Sequence, residues 1–116
     1  MKNLKPKIEK VLVKTINEHY ADLYKAYVVK DKIVTECIDP DLKEDEQEEW
    51  FFVPEYDHEE AFCFTCDGGP GWDKMNPTET DYPDYKFEEI LDKNFEEAGL
   101  FYEPYASWKF VVTEVA

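Results

Sequence analysis

Two cysteines three positions apart, Cys63 and Cys66, are the residues whose types most directly offer chemistry. With Cys37 and His58 they supply up to four zinc ligands, taken as thiolates and an imidazole nitrogen. Structural zinc sites usually draw their ligands as two tight pairs, and here Cys37 and His58 stand alone. In an extended strand, residues three apart point to opposite faces. The pair therefore grips one ion only if the strand ends near Cys63. Buried free thiols are the first reading. A small zinc-stabilised interaction module built on the pair is the alternative. No cofactor and no metal ligand is assigned.

Other catalytic constellations are weaker. Cys66 and His58 make a nucleophile–base pair only if the fold brings them together. Ser107 is the sole serine, which leaves little for a serine triad. Carboxylates are so abundant that an acid–base pair carries no information. The segment Asp39-Pro40-Asp41-Leu42-Lys43-Glu44 begins like a calcium loop, but a lysine occupies the third ligand position. Gly68-Gly69-Pro70-Gly71 lacks the Gly-Lys-Ser/Thr of a phosphate-binding loop. An enzyme with an unrecognised site would centre on the long loop 67–83. The chain is expected not to be an enzyme.

Acidic residues make the stronger pattern. Asp and Glu number 28 against 13 cations, all lysine, for a formal charge of −15. Residues 1–38 hold eight lysines and five acids, whereas from Asp39 onward the acids outnumber lysines by 18. Such a surface repels nucleic acid and anionic membrane, attracts basic proteins, and speeds their association. The absence of arginine argues against bidentate phosphate reading. The expected partner-binding residues are Glu44, Asp45, Glu46, Glu48, Glu49, Glu55, Tyr56, Asp57, Glu59, Glu60, Trp72, Glu88, Glu89, Asp92, Glu96 and Glu97. Carboxylates three and four apart on a helix repel one another, a stability cost that invites a functional reading beside the plainer one of a solubilising face. Tyr56, Trp72, Tyr82, Tyr85, Tyr102 and Tyr105 interleave with the acids in segments that read as loops, and Tyr and Trp are favoured at interfaces.

The elements that must position these residues follow from periodicity. Leu4, Ile8, Val11, Leu12, Thr15, Ile16, His19, Tyr20 and Leu23 recur at helical spacing, so residues 4–23 are predicted as a helix. Residues 24–29 and 33–38 read as a hairpin, 50–53 and 61–66 as two further strands. Phe87, Ile90, Leu91, Phe95 and Ala98 form the stripe of a second helix over 84–98, with Gly99 beyond its end. Residues 108–115 alternate as a last strand, central or at an edge that pairs with a second copy as a homodimer.

A chain of 116 residues with 43% apolar content fits one domain, 1–116. The fold class predicted is α+β, an antiparallel four- to five-stranded sheet with two helices packed on one face, in the order α-β-β-β-β-α-β. No apolar run is long enough to span a bilayer, and the N-terminus lacks the apolar stretch of a signal peptide, so a cytoplasmic location is expected. The overall profile, short, very acidic, tyrosine-rich and poor in motifs, is similar to phage anti-defence inhibitors, including DNA mimics, and to immunity proteins that neutralise nuclease toxins. That resemblance implies a non-enzymatic inhibitor of a basic, nucleic-acid-handling protein, a nuclease or other nucleic-acid-binding protein, with no direct contact to nucleic acid or membrane.

Overall fold

The computed structural model describes residues 3–20, 24–30, 32–39, 41, 52–56, 61–66, 69–79 and 85–115. The apolar stripe of the first segment winds into α1 (Lys5–His19), which buries Ile8, Val11, Leu12, Thr15 and Ile16 on one side. Pro6 lies in its first turn, where the missing N–H costs nothing. The Asn3 side chain accepts a hydrogen bond from the Lys5 amide at 3.0 Å, although the cap position itself belongs to Leu4.

The chain then forms β1 (Tyr24–Val29) and β2 (Lys32–Cys37), an antiparallel hairpin with Tyr24 opposite Cys37 and Val29 opposite Lys32. Lys30 in the turn takes a left-handed φ of 49°. On its outer edge, β1 is stitched to α1. The Tyr24 amide donates to the Tyr20 carbonyl, and the Ala26 amide to the Asn17 side chain at 2.8 Å.

A second antiparallel sheet contains β3 (Val53–Tyr56), β4 (Phe62–Thr65), β5 (Leu100–Ala106) and β6 (Lys109–Glu114) in the order β3-β4-β6-β5. The predicted single four- to five-stranded sheet with two helices is therefore corrected: the described residues form three helices and two sheets, of two and four strands. The sheets touch through one bridge, Ile33 to Phe52, whose amides and carbonyls exchange bonds of 2.8 and 3.2 Å. From Val53 onward the chain pairs with β4.

The segment 67–83, expected as a long loop, instead contains α2 (Gly69–Met75) and a 3-10 turn over Pro77–Glu79. Met75 anchors it in the core. Then α3 (Lys86–Glu97) ends at Gly99, whose φ of 73° is the left-handed C′ turn expected of glycine. β5, absent from the predicted order, runs parallel to β4 with β6 between them. The terminal strand is thus central, not an edge. The strand expected at 50–53 lies at Val53–Tyr56, and Trp50 and Phe51 fall outside the described residues.

One apolar cluster draws on all three helices and both sheets, including Ile8, Leu12, Ile33, Phe52, Phe64, Phe87, Leu91, Phe95, Leu100 and Phe110. Across the α1–α3 seam runs a buried polar chain. The Thr15 hydroxyl donates to the Val11 carbonyl at 2.7 Å, and Asn94 Nδ2 donates to Thr15 Oγ1 at 3.0 Å and to Glu18 Oε1 at 3.4 Å. Asn94 Oδ1 is buried without a hydrogen-bond partner. An unpartnered buried acceptor carries a desolvation penalty of about 1–3 kcal/mol, whereas an apolar pair of similar shape has none. Thr15→Val with Asn94→Leu is therefore expected to leave stability unchanged or raise it by about 1 kcal/mol. A urea midpoint that falls by more than a few tenths of a molar unit would count against this account of the seam.

Candidate acidic interface

On α3, Phe87, Leu91, Asn94 and Phe95 face the core. At 100° per residue, Glu88, Asp92 and Glu96 follow one another along the flank that turns toward β5, with Glu89 beside them. These four carboxylates make no ion pair among the described residues. Glu97 lies on the opposite flank. Its carboxylate meets Lys14 of α1 at 3.3 Å and Lys93 at 4.0 Å, so its charge is matched internally. The predicted helix row is thus four residues, not five.

Burial, together with the charge of Asp92, pushes the Glu88 carboxyl above its ordinary range. Tyr102 of β5 donates its hydroxyl to Asp92 Oδ1 at 2.5 Å. Burial, then that bond and the neighbouring carboxylates, hold the phenol protonated well above its usual range. Tyr102 is in turn fixed by rings, with Phe95 at 5.0 Å and Phe64 at 5.8 Å between centroids.

One exposed aromatic, Phe101, borders the acids at the end of α3. Phe101 is 41% exposed and Tyr105 63% exposed on β5, which is the outer strand of its sheet. The Tyr105 ring already stacks under a cation, with Lys109 Nζ 5.0 Å from its centroid. Pro104 and the register shift between Pro104 and Ala106 interrupt that edge and disfavour strand addition.

The other predicted interface residues are dispersed. Glu55 is on β3, at the far side of the sheet from β5, separated by about 14 Å at ordinary strand spacing. It accepts a weak bond from the Cys63 thiol at 3.8 Å. Tyr56 ends β3, with its side chain outside the described residues. Trp72 is half-buried on α2 rather than in a loop. Glu44, Asp45, Glu46, Glu48, Glu49, Asp57, Glu59 and Glu60 lie outside the described residues. Phe101 and Glu103 were not singled out by the sequence, although their place next to the helix end is a signal that adjacent acids and aromatics share a surface.

The two thiols do not converge. Phe64 and Cys66 belong to the core cluster, while Cys63 is buried outside it beside Glu55. Among the described residues no three His, Cys, Asp or Glu side chains gather as a metal-binding group, and His58 lies outside them. Burial, aided by Glu55, pushes the Cys63 thiol up from about 9 to about 11. Such a thiol is a poor nucleophile at neutral pH. Because the unfolded thiol releases its proton at lower pH than the folded one, stability falls as pH rises from about 9 through about 11. Cys63→Ala is expected to flatten stability against pH in that window relative to the parent. Parallel curves for the two proteins would sink the assignment.

A groove of about 750 Å³ between α1 and β1 is larger than the cleft at the end of the acidic flank, but two glutamates and two lysines line it, Glu9, Lys10, Lys14 and Glu18. Lys14 and Glu18 there pair at 3.8 Å and Asn17 is committed to Ala26, so the groove favours neither sign of ligand. Among the described residues no helix is long and apolar enough to cross a membrane. Comparison with known proteins returns no matching family model, no similar curated protein and no similar solved structure.

Proposed function

We propose that the protein is a non-enzymatic binder that acts in the cytoplasm on a basic, nucleic-acid-handling protein and covers the surface that would hold phosphates. The observation that supports this reading is the flank of Glu88, Glu89, Asp92 and Glu96, four carboxylates without counter-charges among the described residues, beside the exposed Phe101 of β5. From residue 88 to residue 96 the helix rises about 12 Å, giving about one carboxylate per 4 Å. Along the axis of a duplex, one strand carries a phosphate about every 3.4 Å. The flank therefore offers a comparable line of negative charge on a rigid rod. Repulsion within the row weakens the isolated helix, and a basic groove would relieve it.

Inhibition of a host defence nuclease and neutralisation of a nuclease toxin are the two settings that this chemistry suits. The test is capture at low salt from cells of the natural host, elution by a salt step, and assay of the eluted protein for nucleic-acid binding. The reading requires that adding this chain displaces nucleic acid from the target, with affinity that falls steeply as salt rises. Affinity indifferent to salt, or a target that keeps its nucleic acid, would remove it.

A further inference from the structure

Where α3 ends and the chain enters β5, the surface opens into a cleft of about 360 Å³ lined by Asp92, Phe95, Glu96, Leu100, Phe101 and Tyr102, with Gly99 and Val115 closing its end. Its floor is apolar and largely aromatic. Phe95 and Leu100 are buried, Tyr102 is half-buried, and Phe101 is partly exposed. The two acids stand on the helix side. Two hydrogen bonds hold its walls: the Val115 amide donates to the Gly99 carbonyl at 2.8 Å, and the Tyr102 hydroxyl donates to Asp92.

A second, independent feature of the same corner concerns the helix end. The C-terminus of a helix carries partial negative charge and favours cations in its last turn. The last turn of α3 has no basic residue, and Glu96 stands there instead. The carboxylates of Asp92 and Glu96 thus add to the dipole's negative end rather than offsetting it. Lys93 is directed to Glu97 on the other flank, away from the cleft. The corner therefore combines an apolar aromatic slot, two carboxylates and a negative helix terminus, with no internal cation to fill it among the described residues.

We propose that this α3–β5 cleft is the anchor pocket of the acidic interface and receives one lysine or arginine side chain from the basic partner. The hydrocarbon stem lies against Leu100 and Phe101, and the cationic head meets Glu96, Asp92 and the end of α3. Aromatic rings lining the slot suit such a cation as well. A long basic side chain suits such a slot because its stem and its head have opposite preferences. A metal ion would find too few oxygens and too much hydrocarbon. The proposal deepens the reading of an acidic binder and rests on it. An anchor needs apolar depth as well as charge, and interface energy concentrates at such pockets.

The test uses the full chain and a hexa-arginine peptide at low salt, followed by amide and side-chain chemical shifts. Shifts are expected to concentrate on Phe95, Gly99, Phe101, Tyr102 and Val115. Glu96→Lys is expected to weaken the peptide about tenfold or more, and Phe101→Ser severalfold, whereas Glu79→Lys, with the same change in charge away from the cleft, changes affinity less than twofold. Circular dichroism on each variant separates loss of the pocket from loss of the fold. If the peptide binds but its shifts spread over the whole acidic surface, or if Glu96→Lys and Glu79→Lys weaken it equally, the anchor pocket is wrong while the acidic-binder reading stands. If hexa-arginine fails to bind at low salt, both fall.

Discussion

Phe64→Ala is expected to lower the free energy of unfolding by about 3–5 kcal/mol, the range for deleting a buried phenylalanine side chain. Phe64 is fully buried at the centre of the larger sheet, and its ring meets Phe52 at 5.9 Å, Phe95 at 5.8 Å, Tyr102 at 5.8 Å and Phe110 at 5.2 Å. These neighbours come from the bridge between the sheets, from α3, from β5 and from β6. No single element can collapse into the resulting cavity without pulling away from another, so the upper half of the range applies. A domain of this kind holds about 5–15 kcal/mol in total, and the substitution removes about a quarter of that or more. Urea unfolding followed by tryptophan fluorescence gives the number. A loss below about 1 kcal/mol would mean that the aromatic cluster is not the keystone of the fold. Because Phe95 and Tyr102 also line the cleft, the variant is expected to weaken cation binding even where it remains folded.

That cluster shows what the sequence made legible. Phe87, Leu91 and Phe95 recur every four residues and Ile8, Leu12 and Ile16 do the same, so α1 and α3 follow directly from period. The hairpin of β1 and β2 follows from two β-branched runs around a short polar turn. β5 does not, because it is an outer strand with a proline and a register shift, and its residues from Glu103 to Tyr105 are all exposed, which erases the alternation. α2 was hidden by Gly69-Pro70-Gly71, residues that ordinarily mark a break; Met75 reaching the core shows that tertiary packing overrides that local preference. Pro54 likewise sits in β3, which is tolerable because β3 is an outer strand of the four-stranded sheet.

The site was legible in its charges and not in its geometry. Five acids on α3 could be read from spacing, but the pull of Glu97 toward Lys14, 83 residues earlier, depends on how α1 and α3 pack. No local rule assigns a carboxylate to one flank or the other when both flanks are solvent-exposed. The cleft was less legible still, since it exists only because β5 folds back under the end of α3. Its aromatics appear in sequence as a run without period.

The uncompensated row makes opposite demands on folding and binding, and the pair Glu88→Gln with Glu96→Lys is expected to expose this. Glu88 is pushed up by burial and by Asp92, so at neutral pH its charged form is held against an unfavourable environment. A carboxyl whose folded value lies above its unfolded one subtracts stability as pH rises through the carboxylate range, and the subtraction vanishes on acidification. Glutamine removes it. Lysine at position 96 faces Asp92 one turn earlier and complements the helix end, worth about 0.3–1 kcal/mol on its own. The double variant is therefore expected to be more stable than the parent at neutral pH, with the advantage shrinking as the solution is acidified toward the carboxylate range. Binding to the protein eluted by the salt step should move the other way, by about a hundredfold, since the change replaces two favourable contacts by one neutral and one repulsive contact. Most of that loss is expected in the slope against salt, because the number of charges meeting the partner has changed. A solubilising face predicts neither the weakened binding nor its altered salt dependence. A double variant that gains stability and still binds as the parent does would assign the row to solubility and leave the partner surface elsewhere on the molecule.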